Sequence, residues 1–171
     1  YDTVADMTAK IKENLVKKED SRVENEFISK LVEKVVETSE IDVPAAMVDR
    51  EIDRKLEEFS QQLQMQGFTL EKYFEMTGQS IEAMRESVQE SAANAVKTDL
   101  VLGEVAKVEK ITAEDSEVEP KIEEMAKAYG MEKDAIIADV KKAGNYDVFI
   151  DNIKYQIINE KTIDLLKKSA K

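Results

Sequence analysis

Cysteine, histidine and tryptophan are absent from this 171-residue sequence, which also has only 2 prolines and 5 glycines. Without cysteine or histidine there is no thiolate nucleophile, no imidazole general base, no disulfide and no zinc site of the usual kind. The glycines stand apart from one another, so no glycine-rich loop could cradle a phosphate. These absences exclude the common catalytic sets and leave only an enzyme built on carboxylates. Because the carboxylates are interpreted below as solvated, we predict a chain that is not an enzyme and that has no cofactor and no metal site.

Long apolar runs are also absent, since none approaches the roughly 18 to 20 residues that a membrane-spanning helix needs. The N-terminus lacks the basic-then-apolar order of a signal peptide. The 37 acidic residues outnumber the 25 basic ones, which gives a formal net charge of −12. This acidity argues against a nucleic-acid partner, because phosphate contacts need a basic stripe. We expect a cytoplasmic protein with no membrane and no nucleic-acid partner.

The remaining composition favours helices. The chain is 42% hydrophobic and 36% charged, which is too apolar for a disordered protein. A helix is predicted from Thr3 to about Ser39, because neither glycine nor proline interrupts the chain before Pro44. At 1.5 Å per residue such a helix is roughly 50 Å long, whereas a compact sphere of this chain length would be only about 40 Å across. The expected fold is all-α and elongated.

A helical hairpin is predicted after Pro44, which suits a first helical position. Apolar residues then follow in steps of three and four from Ala45 to Leu63. Thr69 can cap a short helix that Gly78 ends, and Ser80 can cap the next long helix. Two long helices with facing apolar seams and a short connection form an antiparallel hairpin, so we expect a projecting arm.

The last third of the chain is also predicted to form helices that begin and end at capping residues. Ser116 to Glu119 is predicted to form a capping box, with Pro120 in the first turn. Gly130 would close that helix, and two further helices are expected at Glu132–Lys142 and at about Tyr146–Lys168. Carboxylates at helical spacing, such as Asp49 with Asp53 and Glu119 with Glu123, are interpreted as solvated faces rather than metal ligands.

The segment between the two long helices of the first hairpin is unusually apolar for a turn, which normally carries small polar residues. Its large side chains are Met65, Phe68, Leu70, Tyr73, Phe74 and Met76. Either the short helix folds back and forms a small packed cluster, or part of this surface faces outward and binds other proteins. Methionine suits the second role because its side chain is flexible and polarizable. The two interpretations are compatible.

A second group of apolar side chains, in the last third of the chain, could likewise either pack in the core or bind other proteins. It comprises Met125, Tyr129, Ile136 and Val140. Their helical spacing favours core packing, but we retain them as candidate protein-binding residues of the second hairpin.

Several segments resemble, in order, the C-terminal domain of bacterial trigger factor. They are Tyr1-Asp2-Thr3-Val4, Val43-Pro44-Ala45-Ala46-Met47-Val48-Asp49-Arg50-Glu51-Ile52-Asp53, Tyr73-Phe74, Val96-Lys97-Thr98-Asp99-Leu100-Val101-Leu102 and Ile122-Glu123-Glu124-Met125-Ala126. The resemblance implies an ATP-independent chaperone domain whose two helical arms hold unfolded or nascent polypeptides. It also implies a long helix with linker at 1–43, a first arm at 44–111, and a second arm with a closing helix at 112–171.

The resemblance does not extend to the family's other two parts. The ribosome-binding domain carries a Gly-Phe-Arg loop, and the prolyl isomerase domain is rich in strands; neither pattern occurs in this sequence. Ribosome contact would therefore need a domain absent here. A weak homodimer is a further expectation. The alternative function is a non-enzymatic helical scaffold with one fixed protein partner.

Overall fold

The computed structural model describes residues 3–170, and all of the regular secondary structure in that range is helical. Seven helices occur there, and no strand. They are α1 (Val4–Glu37), α2 (Ala45–Met65), α3 (Leu70–Thr77), α4 (Ile81–Val108), α5 (Asp115–Tyr129), α6 (Lys133–Lys142) and α7 (Tyr146–Ser169). The all-α prediction is confirmed. Tyr1 and Asp2, where the resemblance begins, lie outside the described residues.

Most helix ends follow the local signals in the sequence. The Thr69 side chain accepts a hydrogen bond from the Lys72 amide, and Gly78 ends α3 in the left-handed region at φ 69°. The Ser80 hydroxyl likewise accepts from the Ala83 amide at the start of α4. A side-chain oxygen at these positions satisfies an amide that has no partner within the helix.

Two predicted helix starts were wrong by one or two residues. Pro44 lies just before α2 with an extended backbone, rather than inside its first turn. The capping box of α5 is formed by Glu114 and Glu117, whose carboxylate accepts from the Glu114 amide at 2.8 Å. Pro120 therefore falls in the second turn of α5. Glutamate is a weak capping residue by type, so the serine two residues later was the stronger sequence signal.

The helix α1 contains no buried residue, which is unusual for 34 residues of helix. Ion pairs run along its surface instead: Glu13 accepts from Lys10 and Lys17 at 2.9 and 2.6 Å, and Arg22 pairs with both Glu19 and Glu26. Such pairs at helical spacing contribute about 0.2–0.5 kcal/mol each. The ion pairs between neighbouring turns thus help to stabilise the helix α1, which buries no side chain fully.

The chain divides into two compact units. One runs from Val36 to Val101, and the other combines the chain up to Val35 with the chain from Leu102 onward. The core of the first unit contains Ile52 and Leu56 of α2 against Ala92 of α4. Ala92 has no exposed surface, and its small side chain suits close packing of the two helices. Asp53 and Arg85 form an ion pair beside this cluster.

The core of the other unit lies between α5 and α7. Val118 and Ile122 pack with Ile153 and Ile157, and Ile153 is only 1% exposed. Thr162 of α7 is also fully buried, where its hydroxyl donates to a backbone carbonyl one turn earlier. Polar pairs border this core at 2.6 Å, namely Lys154–Asp115, Lys161–Glu117 and Lys121–Glu160. The pairs favour one alignment of α5 against α7, because each lysine meets a specific carboxylate.

Candidate functional site

The turn after α2 is closed by backbone hydrogen bonds. The amides of Gly67 and Phe68 donate to the carbonyls of Gln64 and Leu63, both at 2.9 Å. Gly67 adopts φ 80°, which only glycine reaches without steric cost. This arrangement ends α2 sharply and leaves Met65 in its last turn. Phe68 then leads directly into α3.

The helix α3 carries an aromatic contact to α2. The Tyr73 ring meets the Phe59 ring edge-to-face, with centroids 5.1 Å apart, and Phe74 lies 5.9 Å from Tyr73. Leu70, Tyr73 and Phe74 are all half-buried. Edge-to-face ring pairs contribute about 0.5–1.5 kcal/mol beyond the area that they bury. The packed-cluster interpretation therefore holds for Tyr73 and Phe74, whose ring contacts help to stabilise the eight-residue helix α3.

Three other large side chains of the same segment face outward. Met65 is 82% exposed, Met76 is 70% exposed and Phe68 is 38% exposed. The Lys72 ammonium lies 5.9 Å from the centre of the Phe68 ring, at the outer limit of a cation–π contact. We call the six residues the α3 surface, defined as Met65, Phe68, Leu70, Tyr73, Phe74 and Met76. It combines an aromatic base with exposed, flexible apolar side chains.

A further exposed apolar side chain follows the α3 surface in the sequence. Ile81 shares the helical spacing of Met84 and Val88, which pack on the cluster between α2 and α4, yet it is 42% exposed. It is the first residue of α4. Side chains on a helix lean toward its N-terminus, so a residue in the first turn extends past the packed part of the helix. The first-turn position of Ile81 could have been inferred from the Ser80 cap in the sequence. Ile81 provides an exposed apolar side chain three residues after Gly78.

The second candidate group divides by position. Met125 packs against the Val118 cluster, whereas Tyr129 is 74% exposed. Core packing, which the spacing favours, is therefore correct for Met125 and wrong for Tyr129. The reason is that Tyr129 is the last residue of α5, before Gly130 turns the chain away. Ile136 and Val140 of α6 are half-buried.

Three of the four candidate carboxylates, those of Asp53, Glu119 and Glu123, form ion pairs with lysine or arginine side chains. The Lys133 ammonium lies 2.5 Å from Glu119 and 3.3 Å from Glu123, and this contact lowers the pKa of the Glu119 carboxyl. Asp53 pairs with Arg85. Within residues 3–170 no group of three potential ligands is placed to hold a metal ion. These carboxylates act as partners of basic side chains.

The fold defines a class, namely an all-α protein whose described residues include no strand. None of the helices described is both long enough and apolar enough to cross a membrane. The family described as the C-terminus of bacterial trigger factor protein matches residues 3–168. This chain belongs to that family.

The relatives support this assignment over the whole chain. The trigger factor of Fusobacterium nucleatum is 40% identical over 171 residues, which are 100% of this chain and 40% of that protein. The trigger factor of Bacillus subtilis is 39% identical over 166 residues, or 96% of this chain and 37% of that protein. The chain thus spans about two fifths of the length of these relatives.

A solved structure of trigger factor domains from Thermotoga maritima has a similar fold. Its TM-score is 0.58 at 25% sequence identity, and the match covers 86% of this chain and 83% of that one. The similarity agrees with the sequence matches in identifying the same family.

Proposed function

We propose that this chain is an ATP-independent chaperone domain that holds unfolded or nascent polypeptides at the α3 surface. Membership of the trigger factor family supports a chaperone role. The observation that carries the proposal is the exposure of Met65 and Met76 in a short segment whose Tyr73 ring packs on Phe59. An exposed apolar surface on a rigid aromatic base suits binding to many different chains.

The mechanism is reversible burial of apolar area. Burying one large apolar side chain is worth about 1.5–3 kcal/mol, so two or three engaged together give weak binding after the cost of association. Weak binding exchanges quickly, which lets a client leave without ATP. Methionine adapts to differently shaped clients because its side chain has three rotatable bonds. The net charge of −12 keeps association between copies weak while these side chains are exposed.

The second group contributes in a secondary role. Tyr129 is accessible at the end of α5, while Ile136 and Val140 offer partial apolar surface on α6. Met125 contributes least in the folded state, since it packs against the core.

The proposal includes no catalysis and no cofactor. The match is to the C-terminal part of trigger factor. Isomerase activity and ribosome contact belong, on this proposal, to other parts of the family's proteins. A cytoplasmic location, the absence of nucleic-acid partners and a weak homodimer remain predictions of the same proposal.

The test replaces the exposed side chains of the α3 surface. We expect Met65→Ser, Phe68→Ser and Met76→Ser together to weaken holding of a denatured client by about tenfold or more, because each loses apolar contact area. The measurement is light scattering of the aggregating client at several chaperone concentrations. Helical circular dichroism and melting temperature should change little, since these side chains lie outside the buried clusters.

A matched control carries three serines at exposed valines of the other unit. Val4, Val108 and Val148 are 77%, 65% and 62% exposed, and their replacement should leave holding unchanged. Equal loss in both variants, or full activity of the first, would refute the α3 surface as the site. A parent chain that holds no client at all would instead favour the fixed-partner scaffold.

A further inference from the structure

The seven methionines of the chain differ strongly in their surroundings. Met65 and Met76 are 82% and 70% exposed, more than the other methionines. Met84 and Met125 are half-buried against the two apolar clusters. Cysteine is absent, so these thioethers are the most readily oxidised side chains in the sequence.

We propose that Met65 and Met76 are sites of reversible oxidation to methionine sulfoxide, which switches client binding at the α3 surface. This inference rests on the proposed function, because the same two side chains supply its most exposed apolar area. Access decides which thioether reacts first, and the structure makes these two the most accessible.

The oxidant is a peroxide. A lone pair of the methionine Sδ attacks one peroxide oxygen, the O–O bond breaks, an S–O bond forms, and water leaves in the case of hydrogen peroxide. The sulfur loses two electrons and the peroxide gains them. In the reverse step a dithiol reductant, acting through a methionine sulfoxide reductase, takes the oxygen as water and becomes a disulfide. Atoms and electrons balance in both directions.

The consequence for binding follows from the change in polarity. A sulfoxide is polar, and its burial against a client removes the hydrophobic gain that the thioether provides. The fold is spared because neither Met65 nor Met76 belongs to a buried cluster. Oxidation therefore lowers client affinity while the helices stay intact.

The experiment treats the 171-residue chain with hydrogen peroxide and follows each methionine by peptide mass spectrometry. We expect Met65 and Met76 to oxidise first and Met84 and Met125 last. When the first two are modified, holding of a denatured client should be about tenfold weaker, with unchanged circular dichroism. Treatment with a methionine sulfoxide reductase and dithiol should restore it.

A pair of variants locates the effect. M65L/M76L cannot form a sulfoxide at these positions, so peroxide should not change whatever level of holding the untreated variant shows. M7L/M131L removes two exposed methionines elsewhere and should stay as sensitive as the parent. Loss of holding in oxidised M65L/M76L, or full holding by the oxidised parent, would overturn the switch. An inactive untreated parent would refute the proposed function instead, while the order of oxidation still tests the two sites.

Discussion

Tyr73 and Phe68 lie five residues apart and have different surroundings. The Tyr73 ring packs edge-to-face on Phe59, whereas Phe68 keeps 38% of its surface exposed. Both are aromatic residues in an apolar segment, so residue type alone did not separate a packing role from a binding role. The contact between the Tyr73 and Phe59 rings distinguishes Tyr73 from Phe68. It could not be predicted from residue type, because it depends on how α3 folds back on α2.

Among single residues, Ile153 is expected to contribute strongly to the stability of the fold. Its side chain is 1% exposed between α5 and α7, so Ile153→Ala should lower the free energy of unfolding by about 2–5 kcal/mol through lost burial and the cavity left behind. Val148→Ala in the same helix removes a side chain that is 62% exposed and should change stability by less than about 0.5 kcal/mol. Urea unfolding measures both. Similar losses in the two variants would contradict the assignment of Ile153 to the core.

At the scale of helices, the sequence predicted what local chemistry determines. Thr69, Gly78, Ser80 and Gly130 end or begin helices as expected, since each acts on its own backbone neighbours. Contacts between helices were harder to predict. Thr162 is fully buried in α7 although its type suggested a surface position. Its hydroxyl donates to the backbone within the same helix, which satisfies the polar group without a partner from another element.

The ion pair between Lys161 and Glu117, at the border of the α5–α7 core, should make folding stability depend on pH. The Lys161 ammonium beside Glu117 lowers the pKa of that carboxyl in the folded chain, so the unfolded chain binds more protons between the two pKa values. The contribution of the pair is complete above the ordinary glutamate pKa of about 4.3 and is lost as the pH falls through the lowered value. Lowering the pH into the acid range therefore weakens the contribution of this pair to stability.

The variant Lys161→Met isolates this effect. Its urea midpoint should lie below that of the parent at pH 7, and the difference should shrink below about pH 4 as Glu117 is protonated. Some difference should remain in acid, because Lys161 also donates to the Thr112 carbonyl at 2.8 Å. The matched control is Lys12→Met, at an exposed lysine of α1. A difference between the Lys161 variant and the parent that grows in acid would contradict the pairing.

At the scale of the whole molecule, two compact units are each held by their own apolar cluster. The division of the chain into a long helix and two arms, and an elongated shape, remain predictions from the sequence. The helix predicted from Thr3 to about Ser39 was the reason for expecting that shape from the sequence. Family membership, by contrast, rests on matches that cover nearly the whole chain.

The location of client binding can be measured through the methionines, which occur throughout the chain. Their methyl groups can be labelled with ¹³C, so that seven signals report on α1, α2, α3, α4, α5 and the turn after α5 in one spectrum. Met84 and Met125 serve as internal controls, because each packs against a cluster.

The most direct test is a titration of the labelled chain with a permanently unfolded polypeptide. We expect the methyl signals of Met65 and Met76 to shift or broaden first, because a bound client covers them, while those of Met84 and Met125 stay in place. Unchanged Met65 and Met76 signals at client concentrations where other methyls respond would contradict the α3 surface as the binding site.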